Sequence, residues 1–463
     1  MAARTARAGP CYTSARGRAM ALLLISIVAC TESPADTAVD TPLVVPWTSE
    51  RTPLTEVSSG GRAWRRGIIH LHSHYSHDAC DGDPMPGGVP DEACLAHLRE
   101  GLCRNALDFA MITDHPAHAA EQEWEDLLLS RDGDTVVDGI ANRIACPTGH
   151  SVLTMPGIED ELMPVALNEP VADTPEERDR LYNSTDAEAF DADIAAGATV
   201  LQAHTEQQDL DALLERQANG LGGVELFNLH AMVDPDIRSE ALGLGSFDYI
   251  TDIGPFVTGD TDAEPDLAFL AFFQEQGVSL AKWDALSTVA HTTGTAGTDA
   301  HENALPSLLS DGERVDSYRR MMTWFSNIAL VEGDGPEDVQ AAVTAGKLFV
   351  AFEILGTPSG FSVRYGELEM SGTADIGGTL EVTCPTLAAT TPQDGNAPEI
   401  VATIFKDGAI WAEGCGEHVV TDPGVYRVRV DITPHHLSAY LDDQQWLVRA
   451  YPWIYSNAFR LGL

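Results

Sequence analysis

Between residues 64 and 352 the chain repeats one rhythm: a short run of apolar and β-branched residues, a polar loop holding His or Asp, then a stretch of helical composition. The runs are 67–72, 109–115, 151–159, 198–204, 223–228 and 294–301. Apolar runs followed by helices predict parallel strands of an α/β fold, because strands covered on both faces need no polar alternation. Helices are predicted over 209–218, 266–276 and 336–345, the last with Pro336 near its start. The ionisable residues of each run lie toward its C-terminal end, and in a (β/α) barrel these ends open onto one mouth.

After residue 355 the texture changes to alternating or β-branched runs, at 360–365, 378–382, 399–405 and 424–430, separated by Gly/Pro turns. This spacing predicts a small β-sandwich over 355–463. Trp446, Trp453 and Tyr455 read as its core and docking surface.

The start of the chain has a different character. Arg4, Arg7, Arg16 and Arg18 precede an apolar run at 19–29, with no acidic residue before Glu32, which is the layout of an export signal too short to span a bilayer. The run ends Val28-Ala29-Cys30 and resembles the lipobox of bacterial lipoproteins, which implies a signal peptide at 1–30 and a membrane anchor on lipidated Cys30. Residues 31–63, rich in Thr, Ser, Pro and Asp, read as a tether. The chain is then expected to be exported, anchored to a bacterial membrane and facing the periplasm or the cell surface, where disulfides are permitted. Cys384 and Cys415 are expected to pair with each other, whereas Cys80, Cys94, Cys103 and Cys146 allow three pairings. Segments 79–103 and 116–150 are expected to form a lid at the mouth, stapled by those four cysteines.

With 27 basic residues against 71 acidic and a formal charge of −44, attraction to a nucleic-acid or anionic-lipid surface is excluded as the main binding force. A negative field does favour divalent cations. Two histidines in His70-x-His72 point to one face of a strand, and the loop continues Ser73-His74-Tyr75-Ser76-His77-Asp78. Later strand ends add Asp114-His115, Glu159, His204 and Asp299-x-His301. Imidazoles and carboxylates are ligands of borderline divalent metals, and five separate strand ends bearing them point to a multi-metal site. His74, His77 and His118 lie beside these positions, and His291, His435 and His436 read as structural or solvated. Asp81 and Asp83 lack the spacing of an EF-hand and read as a solvated acidic loop.

This order of motifs resembles the polymerase and histidinol phosphatase (PHP) superfamily, over about residues 64–352. The matching stretches are His70-x-His72-Ser73-x-x-Ser76-x-Asp78, Thr113-Asp114-His115, Pro156-Gly157-Ile158-Glu159, Ala203-His204, Val224-Glu225 and Gly297-Thr298-Asp299-Ala300-His301. The resemblance implies a distorted (β/α)7 barrel, here over 64–354, holding two or three divalent ions such as Zn, Mn or Fe. It implies one ion on His70, His72, Glu159 and Asp299, a second on His204 with Glu159 as the bridge, and a third on Asp78, His115 and His301. His230 is the candidate for a further ligand to the second ion, with Glu225 or Asn228 as alternatives. The implied activity is hydrolysis of a small phosphorylated substrate by a metal-activated hydroxide, with His115, His301 and Glu159 in catalytic roles.

Other classes fit less of the chain. There is no G-x-S-x-G elbow and no P-loop. No lysine lies between His72 and Lys282, which removes the amidohydrolase arrangement built on a carboxylated lysine. A deaminase-like metal hydrolase leaves Glu159, His115 and His301 without a shared purpose. A metal-containing surface lipoprotein that binds a partner leaves the completeness of the ligand set unexplained.

Overall fold

A computed structural model describes residues 42–58 and 60–463. The segment read as an export signal, with Cys11 and the expected anchor Cys30, lies outside the described residues. All six predicted runs form strands. In chain order the barrel strands are β1 (Ala63–Ile69), β2 (Phe109–Asp114), β3 (Ser151–Ile158), β4 (Met163–Val165), β5 (Thr199–Gln202), β6 (Gly223–Asn228) and β7 (Thr293–Gly297). They close into a seven-stranded barrel. Pairs β1–β2, β2–β3, β5–β6, β6–β7 and β7–β1 are parallel, whereas β4 runs antiparallel to both β3 and β5. The reason for that reversal is chain length: β3 ends at Ile158 and β4 begins at Met163, too few residues for the crossover a parallel neighbour requires.

β1 has two sets of partners. Its first residues pair antiparallel with β8 (Ser326–Val331), from Ala63↔Val331 to Gly67↔Asn327, and its end meets β7 only at Ile69↔Gly297. This leaves part of the β7 edge without a strand, and side-chain amides replace one. Asn457 accepts from Gly294 N at 2.8 Å and donates to Gly294 O at 3.0 Å, and Asn327 does the same for Ala296 at 2.9 and 2.8 Å. Buried backbone groups are thereby paired.

β8 pairs with β9 (Leu348–Ala351), and β9 continues into the C-terminal region. There β10 (Glu399–Lys406), β11 (Gly424–Thr433) and β12 (Tyr451–Ser456) are antiparallel neighbours, and β12 pairs with β9. A second sheet holds Ser362–Tyr365, Leu368–Glu369, Thr379–Thr383 and Gly416–Val419, with Cys384–Cys415 bridging next to its Thr379–Thr383 and Gly416–Val419 pair. The four predicted C-terminal runs are therefore strands, but one of their sheets is continuous with the barrel's. Trp453 and Tyr455 are buried as expected of core residues, whereas Trp446 is half exposed.

The residues read as tether lie against this body from Pro42 onward. Val45 and Gln393 exchange backbone hydrogen bonds, and Arg51 donates to Thr357 Oγ1 at 3.1 Å. Arg66 of β1 is buried with Glu353: Nε and Nη2 donate to its two oxygens at 2.8 and 3.0 Å, while Nη1 donates to Thr52 O at 2.9 Å. The helices Leu210–Asn219 and Pro336–Thr344 match expectation. The predicted helix over 266–276 is reduced to short turns at Pro265–Ala268 and Phe269–Phe272, and a long helix follows at Gly277–Val289. That helix has no clean apolar stripe because its buried face includes Asp284, which holds Arg427 of β11 at 2.6 and 2.8 Å.

The four loop cysteines pair as Cys80–Cys94 and Cys103–Cys146. The first bridge joins the loop after Asp78 to the helix Glu92–Arg104, and the second joins the end of that helix to the strand Ala141–Ala145 region. Among the described residues no helix is long and apolar enough to cross a membrane.

Candidate metal centre

The ends of β1, β2, β3, β5 and β7 deliver the predicted side chains to one place. Three of them sit on left-handed backbone, His70 at φ 76°, His204 at φ 46° and Asp299 at φ 50°. Such conformations are uncommon for non-glycine residues and cluster where a site over-determines the chain.

Asp299 is the hub. Its Oδ1 lies 3.3 Å from His70 Nε2, 3.2 Å from His72 Nε2 and 3.3 Å from His301 Nδ1, and its Oδ2 lies 3.0 Å from His204 Nε2. The Nδ1 atoms of five histidines are each committed to a partner outside this hub or to backbone. His70 Nδ1 donates to Glu225 Oε1 at 2.7 Å, and His204 Nδ1 to Glu206 Oε1 at 3.0 Å. His115 Nδ1 lies 2.8 Å from Glu159 O and 2.9 Å from Glu159 Oε2, and His301 Nδ1 donates to Asp299 O at 2.9 Å. His72 Nδ1 donates to Ser76 Oγ at 3.1 Å, which in turn donates to Asp78 Oδ1 at 3.0 Å. With the Nδ1 atoms of these five rings engaged in this way, Nε2 is the nitrogen each ring has left to offer a ligand.

Among the described residues four triplets have ligating atoms within 4.8 Å of one another: His70–His72–Asp299, His72–His115–His301, His230–Asp299–His301 and His77–Asp78–His115. Two features of this packing suit a cation better than protons. His70 Nε2 faces His72 Nε2 at 3.0 Å, and the buried His301 Nε2 has no hydrogen-bond partner among the described residues, with Asp78 Oδ2 3.4 Å away. A divalent ion satisfies lone pairs that converge in this way, and carboxylate-backed imidazoles are its usual ligands.

The electrostatics follow from the same crowding. Burial alone would push the Asp299 carboxyl up, but His70, His204 and His72 hold it well below its ordinary range. His70 and His204 are held well above the ordinary imidazole value, because the carboxylates Asp299 and Glu225, or Asp299 and Glu206, outweigh burial. His72 is driven well below it by burial and by its neighbours His301 and His115. His115 rises to about 9 because the hydrogen bond and charge of Glu159 overcome burial. Asp114 is pushed up to about 6 by burial, against hydrogen bonds from Ser73 N at 2.5 Å and Ser73 Oγ at 2.6 Å.

The placement differs in detail from the sets that the family resemblance implies. His70, His72 and Asp299 stand together, as do Asp78, His115 and His301, with His115 Nε2 3.8 Å from Asp78. Glu159 lies on His115 and in none of the four triplets. His204 reaches Asp299, and half-buried His230 joins Asp299 and His301. Glu225 and Asn228 are already engaged. Glu225 Oε2 accepts from His204 N and from Asn228 Nδ2 at 3.0 Å each, and Asn228 Nδ2 lies 3.2 Å from Asp299 Oδ2. Asp114 anchors the loop of Ser73 rather than facing the hub. His77, beside the motif positions in sequence, stands exposed next to Asp78 and His115. His74 is buried with Nδ1 on Asp91 O at 3.0 Å, and Asp81 and Asp83 are exposed as read, with Asp81 also pairing with Arg314 at 2.8 and 2.9 Å. Glu206 was not legible as part of the site: its only sequence mark is a position two residues beyond His204.

The barrel gathers at the C-terminal ends of its strands a cluster of histidines and carboxylates that could hold a metal ion. No family model matches the chain, and no curated protein matches it. Among solved structures, a two-domain protein from Bacteroides vulgatus containing a predicted PHP-like metal-dependent phosphoesterase is similar over 87% of this chain and 98% of that one, at 11% identity and a TM-score of 0.39.

Proposed function

We propose that the protein is a metal-dependent phosphoesterase acting on a small phosphorylated substrate. The observation that carries this reading is the convergence of four imidazoles on Asp299, with the other nitrogens of His70, His72 and His204 tied down and His301 Nε2 without a hydrogen-bond partner among the described residues. His70, His72 and Asp299 would hold one divalent ion, Asp78, His115 and His301 another, and His204 and His230 complete a further shell beside Asp299. Bound divalent ions would supply the positive charge that attracts a phosphate ester and would acidify an attacking water. That charge matters in a chain of formal charge −44, which otherwise repels an anionic ester. The protein's own groups orient and shield. Ser76 passes the His72 Nδ1 proton contact on to Asp78, Asp114 pins the Ser73 turn, and the Cys80–Cys94 bridge holds the chain beyond Asp78. Where His115 does not ligate an ion, its Nε2, with Nδ1 held by Glu159 and the ring partly open to solvent, can carry the proton that the leaving oxygen takes.

The test is turnover of p-nitrophenyl phosphate and a nucleotide panel by purified protein, after chelation and after adding zinc, manganese or iron. Activity that vanishes with chelation and returns with metal supports the reading. Metal bound under every condition without turnover would transfer support to a binding role. The same proposal includes export and anchoring through Cys30, because the polypeptide after it is too polar to enter a bilayer. Cys30→Ser should then move the protein to the soluble fraction, and a wild type already soluble with cleavage elsewhere overturns the anchor.

A further inference from the structure

We propose that Glu206 is the positioning residue of His204: its carboxylate holds the Nδ1–H of that imidazole and so fixes the ring with Nε2 aimed beside Asp299 for a divalent cation. The inference rests on the metal-dependent reading of the centre. No motif of the site contains Glu206, and only the fold brings it into play.

The local geometry is specific. His204 leaves β5 in a left-handed conformation and caps a single 3-10 turn, Thr205–Gln207. That turn folds residue 206 back beneath the ring of residue 204, with Nδ1 and Oε1 3.0 Å apart. On the other side of the ring Nε2 lies 3.0 Å from Asp299 Oδ2. The Glu206 side chain is fully buried, and among the described residues its Oε2 has no hydrogen-bond partner. A buried carboxylate half satisfied in this way is a poor structural element, since glutamine or an apolar residue would fill the space without a charge to desolvate.

The turn is also braced from behind. Lys282, on the helix Gly277–Val289, donates from Nζ to Thr205 O at 2.9 Å and to Glu206 O at 3.0 Å. The ammonium is thus fixed on the backbone of the turn, near the carboxylate without neutralising it by direct contact. His70 shows the same chemistry, with Glu225 on its Nδ1 at 2.7 Å. Two histidines from different strand ends are therefore each backed by a buried glutamate. Such a partner fixes the tautomer and the ring orientation of a metal ligand and raises its basicity.

The experiment is calorimetric titration of the metal-free full chain with zinc alone and with manganese alone, for wild type, Glu206→Gln, Glu206→Ala and His204→Ala. Glu206→Gln can still accept a hydrogen bond but carries no charge, so it should keep the wild-type number of equivalents and weaken one of them by about tenfold. Glu206→Ala should weaken the same equivalent by on the order of a hundredfold, with the other equivalents unchanged. His204→Ala should abolish that equivalent. Wild-type affinity at every equivalent in Glu206→Ala, while His204→Ala loses one, overturns the role of Glu206 and leaves the metal centre standing. A loss in Glu206→Ala spread over all equivalents together with a lowered Tm of the metal-free protein makes Glu206 a folding residue and also overturns the inference. An unchanged metal count in His204→Ala refutes the assignment of His204 itself, a failure of the underlying reading distinguishable from the other two.

Discussion

Replacing Gly297 by alanine should unseat Glu225 and, through it, His70. Gly297 ends β7 at the point where that strand touches β1, and a Cβ built there would lie 1.9 Å from Glu225 Oε1 and 3.0 Å from His70 Cβ. The carboxylate must withdraw by about 1 Å, which turns its 2.7 Å hydrogen bond with His70 Nδ1 into a separation at which no bond remains. Losing a hydrogen bond to a buried charge costs about 1.5–3 kcal/mol, and overpacking a full core costs about 1–3 kcal/mol more. The variant should therefore lose on the order of 4 kcal/mol in urea unfolding. It should also bind the ion that uses His70 about 10–100-fold more weakly. Gly294→Ala on the same strand is the control, because its nearest atoms are the side-chain carbons of Leu226 at 2.8 Å, which can rotate away. The decisive comparison is Gly297→Ala in a Glu225→Ala background, where most of the penalty should disappear. An equal penalty in both backgrounds, or a single variant within about 1 kcal/mol of wild type, would refute the placement of Glu225 behind His70.

His230→Ala should lower bound metal by about one equivalent and turnover by on the order of a hundredfold. Full metal content with normal turnover in that variant would remove His230 from the centre, and since Glu225 and Asn228 are already engaged, neither stands ready to replace it. Glu353 supplies a pH dependence away from the metal. Burial pushes its carboxyl up, but Arg66 and Arg51 prevail and bring it down to about 2 from an ordinary 4.5. A depressed acid stabilises the folded state fully above pH 4.5 and loses that contribution as pH falls through 2, here about 3 kcal/mol in all. Glu353→Gln should cost about 3–5 kcal/mol at pH 7 by leaving Arg66 buried without its counter-charge, and should flatten the acid limb of urea midpoints. Parallel acid limbs in wild type and variant would count against the pairing.

The strands of the barrel were legible because buried parallel strands are uniform apolar runs, and the C-terminal strands because half-buried strands alternate. The candidate ligands were legible for a related reason: His70, His72, His115, His204, Asp299 and His301 are chemically distinctive residues at or just beyond the ends of such runs, whereas Asp78 and His230 were named from the family resemblance. β4 escaped notice because three residues carry no periodicity, and β8 and β9 because nothing local marks the strands that join the C-terminal sheet to the barrel. The helix Gly277–Val289 escaped because its inward face is set by a distant partner, Arg427.

What residue identity and order alone determined is the inventory: a parallel-strand scaffold, a β-rich C-terminal region, and imidazoles and carboxylates at successive strand ends. What the tertiary structure alone decided is which atoms of that inventory meet. Glu225 stands 155 residues from His70 yet fixes its tautomer, Glu159 turns to His115 instead of the hub, and Glu206 becomes significant only because His204 is left-handed and the 3-10 turn after it folds back. A hydrogen bond of 3 Å depends on where barrel closure brings strands far apart in sequence, and no local pattern of residues carries that information.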